Sequence, residues 1–192
     1  MPAGGAWTRG CRALLLAVAL ALWVSAGWAH KPSDSYLSLT VTDATASGRW
    51  DIALRDLDLA LALDADGDGL ITWGELRARH GEIAAYAGAR LAVTADGAPC
   101  ALEIGAQQVD EHTDGSYTVL PLRVACPRPP VVLGLAYTLF ADLDPQHRGL
   151  LQLGTPQGTR AAILGPQAPL QRFELGHGGA WEQFAAYLRD GV

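Results

Sequence analysis

The sequence predicts an α+β fold that is mainly β: a sandwich-like antiparallel β domain with an inserted helix–loop–helix near its start and a helix at its C-terminus. Three observations support this prediction. Short segments of alternating or β-branched apolar residues recur along the chain. Turn signals rich in Gly, Pro and Asp separate them. An acidic segment at residues 64–75 has a spacing that requires a helix on each side.

Apolar or alternating segments mark the expected strands. They cover residues 36–41, 50–54, 91–94, 101–104, 117–125, 131–140, 150–153 and 160–164. A turn at 46–48 is expected to join the first two strands, and the Asp-Gly dipeptides at 96–97 and 114–115 are hairpin signals. Residues 110–115 are expected to form a polar hairpin loop, since Pro121 occupies the position where a calcium loop would need its closing carboxylate.

The most informative segment is the acidic one. It places oxygen-bearing side chains at positions 1, 3, 5, 9 and 12 and a glycine, Gly69, at position 6. This spacing is typical of an EF-hand loop, which surrounds Ca²⁺ with six to eight oxygens. The residues expected to bind Ca²⁺ are Asp64, Asp66, Asp68, Leu70 through its carbonyl, Thr72 and Glu75.

The sequence before the loop is ambiguous between strand and helix. Residues 56–63 carry Leu at alternate positions, which suits a strand. Leu57 and Leu61 are also one helical turn apart, and an EF-hand loop is entered from a helix. A helix is therefore the prediction for residues 56–63.

The sequence after the loop predicts a helix over residues 75–89 that starts within the loop. Thr72 and Glu75 form a T-x-x-E capping box. Gly81 weakens this helix, because glycine is a poor helix former. Together the two helices and the loop make an expected EF-hand insertion at residues 56–89.

A solvated Asp/Gly turn is the alternative to a calcium loop, and the D-G-D-G cluster alone would fit it. The register of Glu75 at position 12 and the apolar sequence on both sides favour calcium. Four carboxylates in one small loop repel one another without a cation. Calcium is therefore expected to stabilise the folded state by binding it preferentially.

The N-terminus has the pattern of a secretory signal. Arg9 and Arg12 precede an apolar run at residues 14–24 that is short for a membrane span. Small residues follow at the −3 and −1 positions of a cleavage site before His30. The prediction is a signal peptide at residues 1–29, and the alternative is an uncleaved anchor.

Export to an oxidising compartment predicts the state of the three cysteines. Cys11 would leave with the signal, and Cys100 and Cys126 would remain in the periplasmic β domain expected at residues 30–175. A single pair in an oxidising compartment predicts a disulfide, with a two-cysteine metal site as the alternative. The formal net charge of −6 disfavours nucleic acid and anionic membranes as partners and is compatible with cations.

The C-terminal residues 176–192 change character. A hinge-like stretch rich in glycine leads into Trp181, Phe184 and Leu188, which lie at helical spacing on one face. This pattern predicts an amphipathic helix. The helix either docks on the sheet or lies at an interface and leads toward a membrane.

A second acidic segment, residues 142–149, fails as an EF-hand because Pro145 replaces a loop residue and Leu153 replaces the closing Glu. Asp142 and Asp144 are expected to cap a turn, with Arg148 as an ion partner. A partner-binding or transition-metal role that uses His147 is the alternative.

No pattern for a catalytic nucleophile, a phosphate-binding loop or a zinc-protease site is present in the sequence. The expectation is therefore a binding protein and not an enzyme. If the signal is cleaved, His30 becomes the first residue, and its α-amine and imidazole could chelate Cu²⁺ or Ni²⁺.

Several of these segments together resemble the N-terminal extracytoplasmic part of the HupE/UreJ family, bacterial membrane proteins associated with hydrogenase and urease maturation and with nickel or cobalt uptake. The segments are HKPSDSYL at 30–37, GRWDIALRDLD at 48–58 leading into the acidic loop, DGSY at 114–117, and FADLDPQHRGL at 140–150. The resemblance implies a periplasmic accessory domain beside a membrane partner. Members of the family continue into a multi-helix membrane region, whereas this sequence ends at Val192, so transport does not carry over to these residues.

Two functional hypotheses follow. The first is a non-enzymatic, calcium-binding periplasmic accessory domain in which calcium has a structural role. The second is a nickel- or cobalt-handling domain of a metal uptake system, which would pass the metal to a membrane protein. The histidines available for the second are His30, His112, His147 and His177.

Overall fold

The structure, a computed structural model, describes residues 33–176. Its helices are α1 (Leu54–Leu61), α2 (Trp73–Ala78) and α3 (His80–Gly88). Its strands are β1 (Asp34–Thr42), β2 (Thr45–Ala53), β3 (Leu91–Ala95), β4 (Ala98–Pro99), β5 (Ala101–Ile104), β6 (Gln108–His112), β7 (Gly115–Ala125), β8 (Val132–Tyr137), β9 (Arg148–Thr155), β10 (Gly158–Leu164) and β11 (Leu170–Glu174). The expected signal segment and C-terminal helix fall outside these residues. Within them, no helix is both long and apolar enough to cross a bilayer.

The strands form two sheets, so the prediction of a mainly β, sandwich-like α+β fold is confirmed. The larger sheet has seven strands in the order β10-β9-β1-β2-β7, with β5 and β6 both pairing with the outer edge of β7. The smaller sheet has the order β11-β8-β3-β4. All named pairs are antiparallel except β1 with β9, which is parallel and which the sequence did not predict.

One hydrophobic core joins the two sheets. Trp50 of β2 and Tyr137 of β8 are both fully buried, and their rings lie 5.7 Å apart across the interface. Alternation along β1 sends every second side chain inward, as with Leu37 and Leu39. The helices extend this core, because Leu57 of α1 is completely buried in the same cluster.

The turn predicted at residues 46–48 is wrong, because these residues lie within β2. The chain instead turns at Asp43 and Ala44, and Asp43 adopts a left-handed φ of 50°. Gly48 is required for a different reason: a Cβ atom there would stand 1.8 Å from the carbonyl oxygen of Ser38 on the paired strand. Close approach of two strands, and not chain reversal, accounts for this glycine.

The Asp-Gly hairpin signals are confirmed. Asp96 and Gly97 have φ angles of 49° and 85° and connect β3 to β4, as expected for a type I′ turn. The second signal marks the β6–β7 hairpin, which reverses at Thr113 and Asp114. Residues 110–112 of the expected polar loop belong to β6, because the backbone of this exposed segment pairs with β7.

The helical insertion forms as predicted, with altered boundaries. Helix α1 begins two residues earlier than expected and ends at Leu61, followed by the C-cap Ala62, whose φ of 51° is left-handed. The single exit helix predicted over 75–89 is wrong, because the helix breaks at Arg79 into α2 and α3. Leu76 of α2 and Ile83 of α3, on either side of the break, are both buried in the core.

The predicted disulfide is present between Cys100 and Cys126, whose Cα atoms are 4.2 Å apart. Cys100 follows β4 of the smaller sheet, and Cys126 follows β7 of the larger sheet. Cys100 also directly precedes β5, whose Ala101 pairs with Ala125, so the bond extends the β5–β7 pairing where the chain passes from the smaller sheet to the larger one.

We expect replacement of both cysteines by alanine to lower the free energy of unfolding by about 3.5 kcal/mol, because the bond closes a loop of 26 residues in the unfolded chain. Guanidinium unfolding at pH 7.5 measures the change. Reductant should destabilise the wild type to a similar extent and leave the double variant unaffected. An unchanged midpoint in the double variant would contradict the expectation.

Candidate metal centre

Three aspartates converge in the acidic loop. One carboxylate oxygen each from Asp64, Asp66 and Asp68 lies within 4.8 Å of the other two. Asp64 is half-buried, and the other two are exposed. The alternate positions of the sequence pattern therefore do bring their side chains to one side of the turn.

Backbone amides fix the orientation of these carboxylates. The N–H of Gly67 donates to Asp64 Oδ1 at 2.8 Å, and the N–H of Gly69 donates to Asp64 Oδ2 at 2.9 Å. Both glycines have left-handed φ angles, 74° and 84° respectively. Gly69, at position 6, therefore supplies the bend that the sequence assigned to it.

Glu75 spans the loop from position 12. Its Oε1 accepts a hydrogen bond from the N–H of Ala65 at 2.8 Å, and its Oε2 accepts one from the N–H of Thr72 at 2.8 Å. The Thr72 hydroxyl in turn caps α2 by accepting from the Glu75 N–H at 3.3 Å, so the predicted capping box is confirmed. The Thr72 N–H and hydroxyl, followed by the Ala65 N–H, lower the pKa of Glu75.

The remaining expected ligands differ in how the structure places them. Thr72 lies at the junction of loop and helix, with its hydroxyl directed to Glu75 Oε2 at 2.8 Å. The N–H of Leu70 donates to Asp68 Oδ1 at 2.7 Å, while the Leu70 side chain is 67% exposed. Ile71 is partly buried and packs against the core, so it fixes the loop on its inner side.

Two residues that sequence reasoning missed hold the loop in place. Asp58 Oδ1 accepts hydrogen bonds from the N–H groups of Leu63 and Asp64 at 2.7 and 3.0 Å. The Arg79 guanidinium donates to the carbonyl of Leu61, the last residue of α1, at 2.7 Å. Asp58 lies six residues before the loop, and Arg79 lies at the helix break. Because each holds the loop through main-chain atoms, no pattern of residue types in the sequence marks this role.

The acidic loop lacks an internal counter-charge. Among the residues from 33 to 176, no salt bridge joins a loop carboxylate to a basic side chain. Neutral N–H donors satisfy part of the acceptor capacity of these groups but do not cancel their charge. Hard divalent cations that prefer carboxylate and carbonyl oxygens match this donor set.

Comparison with known proteins does not identify the chain. No protein-family model matches it, and no curated protein matches it significantly. The fold and the loop together define a β sandwich with an inserted helix–loop–helix that carries an oxygen-rich turn.

A second cluster combines Asp51, Asp110 and His112, each of which offers an atom within 4.8 Å of the others. His112 Nε2 lies 3.1 Å from Asp51 Oδ2, and the ring of Tyr117 stacks on the imidazole with the ring centres 4.1 Å apart. Arg49 already occupies this cluster and pairs with Asp51 at 2.6 Å and with Asp110 at 2.8 Å. The guanidinium lowers the pKa of Asp110 and neutralises much of the local negative charge.

His147 lies in a different environment from that of a metal ligand. It is 1% exposed, and both ring nitrogens are engaged: Nδ1 lies 2.6 Å from Ser33 Oγ and Nε2 lies 2.6 Å from Tyr137 Oη. Its ring is nearly perpendicular to that of Phe140, with the ring centres 5.0 Å apart. The remaining histidines of the nickel hypothesis, His30 and His177, lie outside the described residues.

The segment at 142–149 forms a turn in which Asp144 Oδ1 accepts a hydrogen bond from the Gln146 N–H at 2.8 Å, as expected. The predicted ion partner of this turn is wrong. Arg148 makes two hydrogen bonds to Asp34, at 2.8 and 2.9 Å, because β9 pairs in parallel with β1. Asp142 instead lies 3.6 Å from Arg90.

We expect Thr72→Ala to lower the free energy of unfolding by about 1 kcal/mol, the usual cost of a lost helix N-cap. Thr72→Ser keeps the hydroxyl and should retain most of the stability. Guanidinium unfolding of both variants in EDTA separates this effect from any metal binding. Equal stability of the Ala variant and the wild type would show that the cap does not hold α2.

Proposed function

We propose that the protein is a non-enzymatic, calcium-binding domain that acts outside the cytoplasm, with calcium in a structural role. The observation that carries the proposal is the convergence of the Asp64, Asp66 and Asp68 carboxylates in a loop with EF-hand spacing. The left-handed φ of Gly69 and the position of Glu75 across the loop support it.

Calcium fits this loop better than magnesium does. Ca²⁺ accepts six to eight oxygens in flexible geometry, whereas Mg²⁺ demands a near-ideal octahedron and keeps several of its waters. The loop offers three aspartates, a glutamate with two oxygens and the Thr72 hydroxyl on a partly exposed turn. Coordination by Glu75 would require its carboxylate to exchange amide donors for the ion.

A structural role follows from the packing on both sides of the loop. Leu63 immediately precedes the loop and is fully buried, and Leu76 immediately follows it and is 2% exposed. An ion bound between them would fix the angle between α1 and α2 without exposing apolar surface. A lone loop of this kind is expected to bind calcium at roughly 10⁻⁴–10⁻³ M, the range of extracellular modules.

The cellular setting in the proposal rests on the sequence. The signal-like segment at 1–29 supports export, and the disulfide is of a kind that persists in oxidising compartments. The resemblance to the extracytoplasmic part of HupE/UreJ proteins supports an accessory role beside a membrane protein. The partner is therefore proposed to be a membrane protein and not nucleic acid.

We expect 10 mM Ca²⁺ to stabilise the folded protein by about 1.4–2.7 kcal/mol relative to EDTA, because binding at the proposed affinity favours the folded state. Thermal unfolding across a calcium titration measures this increase. Mg²⁺ at the same concentration should produce a smaller shift. A melting temperature that calcium leaves unchanged would refute the proposal.

A matched pair of variants tests whether the effect comes from the loop. Glu75→Gln removes the closing carboxylate and should abolish most of the calcium-dependent stabilisation. Glu103→Gln makes the same change at an exposed position on β5 and should keep all of it. A calcium response that both variants retain equally would assign it to general charge screening.

A second candidate function is binding of nickel or cobalt. The observation that favours it is the cluster of Asp51, Asp110 and His112, since imidazole and carboxylate ligands suit these metals. The ion pairs of Arg49 oppose it, because a metal would have to displace the guanidinium from both carboxylates.

We expect equilibrium dialysis to show no nickel retained by the calcium-saturated protein, because Arg49 holds the carboxylates. Arg49→Met should release both acids and create measurable nickel binding, which His112→Asn in the same background should remove. Nickel retained by the wild type and lost in His112→Asn would favour the second candidate over the first.

A further inference from the structure

Six side chains form a hydrogen-bonded series around His147, buried except at Asp56, which is partly exposed. From one end, the Trp50 indole N–H donates to Ser35 Oγ at 3.1 Å, and Ser35 Oγ lies 2.7 Å from Tyr137 Oη. From the other end, Ser33 Oγ donates to Asp56 Oδ2 at 2.7 Å. The two halves meet at the imidazole. The series is Trp50, Ser35, Tyr137, His147, Ser33 and Asp56.

The chemistry of the two ends determines where every proton lies. Because Ser33 gives its only proton to Asp56, its oxygen must accept from Nδ1 of His147. A neutral imidazole with a proton on Nδ1 has a bare Nε2, which accepts the hydroxyl proton of Tyr137. Each donor in the series then has one acceptor, and all the bonds run in one direction, from the indole to the carboxylate.

This series joins segments that are distant in the chain. Ser33 immediately precedes β1, Ser35 is the second residue of that strand, and Asp56 lies in the first turn of α1. Tyr137 ends β8, and His147 immediately precedes β9. Both sheets and the helix that leads into the acidic loop therefore meet at one imidazole.

Charged groups surround His147 on each of these elements. Asp34 of β1 is paired with Arg148 of β9, and Asp56 of α1 lies 3.4 Å from Arg55. Asp144 lies on the connection between β8 and β9. These carboxylates favour the imidazolium, but burial outweighs them and lowers the pKa of His147.

We propose that His147 is an acid-sensitive lock, whose neutral Nδ1–H form holds the start of β1 and the start of α1 on the core and whose protonation favours their opening. An imidazolium has no acceptor for the Tyr137 hydroxyl, which would have to turn toward Ser35. Ser35 already accepts from the Trp50 indole, and its own proton would then lose its acceptor within the series. The closed state therefore excludes the proton, and the opened state admits it.

The sign of the pH dependence follows from this difference. A solvated histidine in the opened state binds a proton below about pH 6.5, while the closed state stays neutral to lower pH. The closed form is therefore fully favoured above that value. Below about pH 6.5, and down to the lowered pKa of His147 in the closed state, the equilibrium shifts toward opening. The equilibrium constant for opening rises by up to tenfold for each unit that the pH falls.

The test is amide hydrogen exchange from pH 7.5 to pH 5.0 in saturating calcium, which keeps the acidic loop in one state and makes the result independent of the calcium proposal. Protection factors at residues 33–35 and 54–57 of the wild type should fall by up to tenfold per pH unit below 6.5. His147→Gln cannot titrate and should lose this additional slope. His80→Gln removes a histidine outside the series and should keep it.

Imidazole ¹⁵N NMR of the wild type provides a second readout that does not depend on whether the His147 variant folds. At pH 7.5 it should show His147 neutral, with the proton on Nδ1. A proton on Nε2, or protection that falls equally in the wild type and in His147→Gln, would overturn the proposal.

Discussion

The acidic loop depends on helix α1, and α1 depends on contacts at both of its ends. With eight residues, this helix is too short to be stable by itself in water. Its first turn is fixed where Asp56 accepts the Ser33 hydroxyl, and its far end is fixed where Arg79 reaches the Leu61 carbonyl. Between these two points, Leu57 is completely buried. The position of Asp64, the first residue of the loop, is therefore set by the core of the β domain.

Two acidic clusters in this protein meet the problem of like charge in different ways. In the Asp51 cluster, the guanidinium of Arg49 lies between the carboxylates and supplies a fixed positive charge. In the loop that begins at Asp64, main-chain amides orient the carboxylates and no described basic side chain pairs with them. This contrast is the electrostatic reason for proposing a bound cation at the loop and not at the sheet.

The sequence was informative where function or local chemistry imposes a spacing. The capping box of Thr72 and Glu75 and the hairpin at Asp96 follow from helix-cap and turn geometry and were predicted correctly. Strand β6 was missed because its sequence, QVDEH, is polar and the strand is largely exposed on both faces. The role of Gly48 was misread because the atom that excludes a side chain there, the Ser38 carbonyl oxygen, belongs to another strand.

The longest-range features could not be predicted from local patterns. Ser33 and His147 are 114 residues apart, and neither has neighbours in sequence that indicate the hydrogen bond between them. Arg79 likewise reaches the carbonyl groups of residues 17 and 18 positions earlier, at the end of α1. Such contacts arise only when the sheets assemble, so the candidate loop was predicted from sequence whereas most of its support was not.

The parallel pairing of β1 with β9 determines the order in which the domain can assemble. Strand β1 lies inside the larger sheet, between β2 and β9, and its second partner begins only at Arg148. A chain emerging from the ribosome or from a membrane channel therefore leaves one edge of β1 without its partner until most of the sequence is available. Contacts of such long sequence separation form slowly, and an open apolar edge invites pairing with other chains. Premature termination before β9 would thus yield an aggregation-prone fragment and not a smaller stable domain.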